Sequence, residues 1–243
     1  MNVSRKIWKC FWAFLLVGTV FFTSCQDKNE DPINVSVDVY VQRVTTETSD
    51  KVAIVLYTYG NRDLKAVKVT TPGGPYAKVY ALTETAGNKQ IFSYHPVDAD
   101  YVPDMPREGS FSFEITAADN SKLTLANILS DQSLTAINFK TAAFVDGKLK
   151  TTWDALTGAE AYMVKLFSAD GNTLLYVTPV LFSLALEYSF NSTTQGWLNG
   201  QSPVVGTNYL VQVQGIKYED GVTTDQDQHI QFISLASKTI KWQ

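Results

Sequence analysis

Residues 35–42 read Val-Ser-Val-Asp-Val-Tyr-Val-Gln, with a valine at every second position. Side chains of an extended strand point alternately to opposite faces, so a period of two gives one apolar face for a core and one polar face for water. Phe111, Phe113 and Ile115 repeat the pattern against Ser112, Glu114 and Thr116. The segment Val52–Tyr59 (VAIVLYTY) is apolar on both faces and is expected to be a central strand. Turn-forming residues separate these runs: Gly60-Asn61, Pro72-Gly73-Gly74-Pro75, Ala86-Gly87-Asn88, Glu108-Gly109 and Asp119-Asn120. Short strands with turns at ~10-residue spacing, and no stretch with the helical period, predict an all-β chain of packed antiparallel sheets.

The pattern breaks near Ser130–Ala136 and restarts at Ile137, which divides the chain into two tandem β-sandwiches, residues 33–130 and 136–243. Residues 109–134 (GSFSFEITAADNSKLTLANILSDQSL) resemble the closing hairpin of immunoglobulin-like modules in Bacteroidetes surface lipoproteins. In the second half, Lys148–Ala155 (KLKTTWDA) and Gly158–Val164 (GAEAYMV) resemble strands B and C of a fibronectin type III module. Val205–Val213 (VGTNYLVQV) resembles that family's E–F turn and strand F. The residues agree with the likeness, because Leu149, Thr151 and Trp153 share a face, as do Tyr162, Val164 and Leu166, and Tyr209, Val211 and Val213. Residues 199–203 insert ahead of Gly206, where the family is tighter. The resemblance implies an interaction or spacer module rather than an enzyme.

Residues 1–24 have the parts of a secretory signal peptide: Arg5, Lys6 and Lys9, then an apolar run from Cys10 to Phe22, then small residues. Phe22-Thr23-Ser24-Cys25 resembles a bacterial lipobox, with Phe22 where leucine is usual and Ser24 where glycine or alanine is usual. The resemblance implies that Cys25 carries the lipid, palmitate included, and becomes the first residue of the mature protein. Residues 25–32 then form a polar tether whose acidic character resembles an export signal to the cell surface. The expected location is the outer membrane, lipid-anchored and facing the outside, with the periplasmic face as the alternative.

With 45% hydrophobic residues in 243, the chain can bury substantial cores. The formal charge of -4 becomes more acidic once Arg5, Lys6 and Lys9 leave with the signal peptide. Basic surface is what attracts phosphate backbones, so nucleic acid is not an expected partner. The two cysteines, Cys10 and Cys25, both lie in the first tenth of the chain, and none downstream of Cys25 is left for a disulfide or a cysteine-ligated zinc. No cofactor is expected.

Two carboxylate groups fall in turn-rich segments: Asp98, Asp100, Asp104 and Glu108 near His95, and Glu219, Asp220, Asp225 and Asp227 near His229. Paired carboxylates perform glycoside hydrolysis, and Asp98/Asp100 or Asp225/Asp227 could supply oxygens to calcium, but solvated loop charge is the expected role. Neither histidine has a nucleophile in a recognisable motif. Aromatic residues in polar loops are the remaining ligand candidates, because a sugar ring stacks its apolar face on an exposed aromatic ring. Trp197, Tyr218 and Tyr101 meet that description, while the resemblance to the fibronectin turn, which plugs the sandwich with a large apolar residue, makes core packing the first expectation for Trp197. The functional expectation is a non-catalytic, lipid-anchored envelope protein that binds an extracellular ligand, a glycan in a nutrient-uptake system foremost. The alternative is an adhesion or assembly protein that uses its sandwiches as spacers or interaction modules.

Overall fold

A computed structural model of the chain describes residues 32–46, 49–85, 87–222 and 229–243. The expected signal peptide, Cys25 and the tether up to residue 31 lie outside the described residues, as do Asp225 and Asp227. Residues Ile33–Gln243 form one compact unit.

The first half contributes β1 (Val35–Thr45), β2 (Asp50–Gly60), β3 (Leu64–Thr70), β4 (Val79–Ala81), β5 (Thr83–Thr85), β6 (Asn88–Tyr94), β7 (Gly109–Ala117) and β8 (Lys122–Leu129). Their hydrogen-bonded order is β1-β2-β6-β5 in one sheet and β4-β3-β7-β8 in the other. In immunoglobulin lettering these are ABED and C′CFG, the two layers of that sandwich. The alternation seen in the sequence supplies the core. Val39, Val41, Ile54 and Leu56 from one layer are buried with Val67, Val69, Phe111, Phe113 and Ile115 from the other.

The second half contributes β9 (Phe139–Val145), β10 (Lys148–Trp153), β11 (Ala161–Ser168), β12 (Leu174–Val177), β13 (Leu181–Phe182), β14 (Glu187–Phe190), β15 (Asn208–Tyr218) and β16 (Ile230–Lys241). One layer is β14-β10-β9; the other runs β12-β11-β15-β16, with β13 also on β11. At the start of β15 the Tyr209 hydroxyl accepts the Val204 N–H at 2.8 Å. A tyrosine bonded back to the chain just upstream is the corner that closes the E–F turn of such sandwiches. The fold is thus all-β, with an immunoglobulin-like sandwich followed by a fibronectin type III-like one.

The two sandwiches share a sheet. Strand β1 pairs parallel with β16, from Val41 opposite Phe232 to Thr45 opposite Ala236, so the inner layers of both halves are a single nine-stranded sheet. This join protects two edges that would otherwise expose unpaired backbone groups. It also explains Val52–Tyr59. On β2, Val52, Ile54 and Leu56 face the main core while Ala53 and Val55, on the opposite face, are also fully buried. That second face holds its own cluster, in which Ala161, Ile216, Tyr218, Ile233 and Leu235 are buried with Tyr40, Val44 and Met163 packed against them.

Candidate functional site

Side-chain hydrogen bonds link the two halves where they meet. The ends of β8 and β15, the start of β16 and the middle of β1 come together there, and each carries side chains that span the join. His229 adopts a left-handed backbone (φ 65°), which turns its carbonyl to accept the Glu219 N–H at 2.9 Å. Its Nδ1 lies 3.2 Å from Glu219 Oε2. The other carboxylate oxygen of Glu219 accepts from Asn127 Nδ2 at 3.0 Å, which ties the first half to the second. Gln132 Nε2 donates to Asp220 Oδ2 at 2.6 Å, and Gln231 Nε2 donates to the Ser130 carbonyl at 3.3 Å. The Ile137 N–H donates to Ser234 Oγ at 3.1 Å.

Asp38 lies behind this network. It is 8% exposed, and its Oδ2 accepts the Ile230 N–H at 3.3 Å. Burial, and secondarily the negative Glu219 nearby, push its carboxyl up to about 7, with the Ile230 N–H and His229 acting in the opposite direction. Its Oδ1 is buried without a partner. The hollow it lines with Ser36, Val37, Tyr57, Tyr59 and His229 has room for about one water molecule. On the other side, Ala126, Asn127, Ile128, Ser130, Glu219, Asp220 and Gln231 line an open groove of about 300 Å³. Of these groups, Glu219 and Asp220 stand out in the sequence as loop carboxylates, whereas Asp38 does not. Its place on the polar side of an alternating strand reads as solvated, and only the covering of that face makes it a buried acid.

The three aromatic candidates do not come together. Trp197 is partly buried and packs against the main core. Its ring lies 5.1 Å from Tyr176 and 5.7 Å from Trp242, and its Nε1–H donates to the Asn191 carbonyl at 3.0 Å. It plugs the end of the second sandwich. Tyr218 is 2% exposed and belongs to the second core, so it has no open ring face for a sugar, contrary to the expectation from its polar neighbours. Tyr101 is half-buried, and its hydroxyl accepts from Gln42 Nε2 at 2.8 Å. Around it, Asp98, Asp104 and Glu108 are exposed. Asp100 is held below the usual carboxylate range by Tyr94, the Val97 N–H and Lys78. The described residues contain no group of three or more His, Cys, Asp or Glu placed to hold a metal.

No family profile matches the chain, and no curated protein does. Among solved structures, a two-domain fibronectin type III segment of chicken tenascin is 15% identical; the match covers 82% of this chain and 98% of that one, with a TM-score of 0.29. The chicken CNTN1 FN1–FN3 domains are 9% identical over 84% of this chain and 65% of that one, with a TM-score of 0.27. TM-scores this low carry no argument, and the fold assignment stands on strand order and the Tyr209 corner. By those criteria the chain is a two-sandwich, all-β protein whose halves are joined through one sheet and one polar seam.

Proposed function

We propose that this protein is a lipid-anchored, non-catalytic component of the cell envelope, held through Cys25, that presents its two sandwiches as one rigid module for binding a macromolecular partner. The observation that carries the reading is the parallel β1–β16 pair. Tandem modules joined only by a linker move independently by default, whereas a shared hydrogen-bonded sheet fixes both halves in one frame. A rigid frame suits spacing and docking. The internal positions of Trp197 and Tyr218 favour a protein partner over the glycan otherwise expected. The hollow around Asp38 admits about one water, so this buried carboxyl meets no substrate there.

Two measurements test this reading. Residual dipolar couplings of backbone amides should give one alignment tensor for residues 35–129 and 139–241; two unrelated tensors would remove the rigid module. Radiolabelled palmitate should enter the wild-type protein in producing cells and be absent from Cys25→Ala, and a labelled variant would remove the anchor. Saturable binding to a member of a polysaccharide panel would restore the glycan reading.

A further inference from the structure

The seam groove has two properties that together specify an occupant. The first is an unpaired edge. Strand β8 ends its sheet, and no described strand pairs with its outer side. The groove is lined by the consecutive residues Ala126, Asn127 and Ile128. Successive side chains of a strand point to opposite faces, so a groove touching all three runs along the edge of β8. Little defends that edge, because the exposed positions are Lys122, Thr124, Ala126 and Ile128, and Ile128 is 67% exposed. Charged side chains, prolines, bulges and a covering element are the usual defences; Lys122 supplies a charge, and β1 lies close to β8 without pairing with it.

The second property is polarity of one sense. Glu219 and Asp220 line the opposite wall, and carboxylates accept hydrogen bonds without donating. Asn127 and Gln132 each spend their NH₂ group on one of these carboxylates, which fixes the orientation of both amides. Their carbonyl oxygens, Asn127 Oδ1 and Gln132 Oε1, are buried and unpaired. The wall that Glu219 and Asp220 present to the groove is therefore one of acceptors, in a negative setting. What they lack is a positively charged group with several N–H donors.

We infer that the groove between β8 and Glu219–Asp220 binds an extended peptide segment of a partner protein, which adds to the β8 edge as a further strand and places an arginine or lysine side chain against the two carboxylates. Main-chain hydrogen bonds along Ala126–Ile128 supply affinity that is indifferent to sequence, and the acidic wall supplies the choice of side chain. A guanidinium suits this wall best, because its planar fork of five donors can serve two carboxylates at once. The inference rests on the interaction-module reading and names the partner chemistry of that module.

The test uses the full, isotope-labelled chain in detergent micelles and the octapeptide Thr-Val-Thr-Arg-Val-Thr-Val-Thr, with a second peptide carrying glutamate in place of arginine. Amide resonances of Ala126–Ser130 and Glu219–Asp220 should shift on titration with the arginine peptide, and the glutamate peptide should bind at least about tenfold more weakly. Glu219→Gln combined with Asp220→Asn should erase that preference. Ile128→Lys, a substitution at an exposed position that leaves the seam intact, should weaken the arginine peptide by about tenfold or more. Equal binding of the two peptides, shifts confined to other strands, an unaffected Ile128→Lys variant, or no shifts at all would each overturn the inference. So would calcium chloride alone reproducing the shifts while the peptide produces none. A single alignment tensor with no peptide binding would remove the groove and leave the rigid module standing.

Discussion

Val41 of β1 and Phe232 of β16 face each other in parallel register, so the first strand of the fold closes against its last. Phe232 is fully buried, and the Arg43 guanidinium lies 5.7 Å from its ring centre. Two sandwiches that share such a pair share a folding transition, because neither can unravel its inner sheet without exposing the other's edge.

Cooperativity follows from this pairing. Among the described residues the tryptophans, Trp153, Trp197 and Trp242, all lie in the second half, whose unfolding they report by fluorescence. Hydrogen exchange at Ala53–Leu56 reports the first half. The two probes should give coincident urea midpoints, and Phe232→Ala should lower both by about 3–5 kcal/mol of stability. Separate midpoints would show that the shared sheet does not couple the halves.

Asp38 makes stability depend on pH. Its folded value of about 7 lies above the ordinary 3.8, so between these two values the native state holds a proton that the unfolded chain has released. Stability is accordingly greatest below that window and falls as pH rises through it, by on the order of 4 kcal/mol. Asp38→Asn keeps an acceptor for the Ile230 N–H and removes the titration. Denaturant midpoints at about pH 5 and about pH 8 should converge in the variant and differ in the wild type. A wild-type protein as stable at the higher pH would contradict the buried acid.

Trp197 should behave as packing. Trp197→Ala is expected to cost roughly 2–4 kcal/mol, and Trp197→Phe about 1 kcal/mol or somewhat more, through loss of the bond to the Asn191 carbonyl. Thermal melts measure both. A Trp197→Ala protein of unchanged stability would return this ring to the list of ligand contacts.

Gly196 is required by its geometry. Its φ of 125° belongs to glycine, and a Cβ there would strike the Val177 carbonyl oxygen and come within 2.8 Å of the Tyr176 ring. Gly196→Ala should destabilise by about 3 kcal/mol or more, with the damage confined to β12 and the Trp197 turn in an exchange map. Full stability would mean that this turn has another conformation open to it.

Much of the architecture was legible in the residues. The valines of 35–41, the phenylalanines of 111–113 and the glycine turns between strands specify sheets with one buried face, and Leu149, Trp153, Tyr162 and Val211 occupy the core as their shared faces require. The central position expected for Val52–Tyr59 is that of β2, between β1 and β6. The candidate site was legible only in part. Glu219 and Asp220 are visible as loop carboxylates, but their partners Asn127 and Gln132 come from far along the chain. Tyr218 looked like an exposed ring because its sequence neighbours are polar.

Local periodicity decided which residues form strands and which side of each strand is oily, because alternation is a property of the backbone itself. Tertiary structure decided what covers the other side. Pairing β1 with β16 joins residues from opposite ends of the chain, and no pattern within either strand encodes that register; the joining of edges turns the polar face of Asp38 into an interior, and a row of loop carboxylates into the wall of a groove.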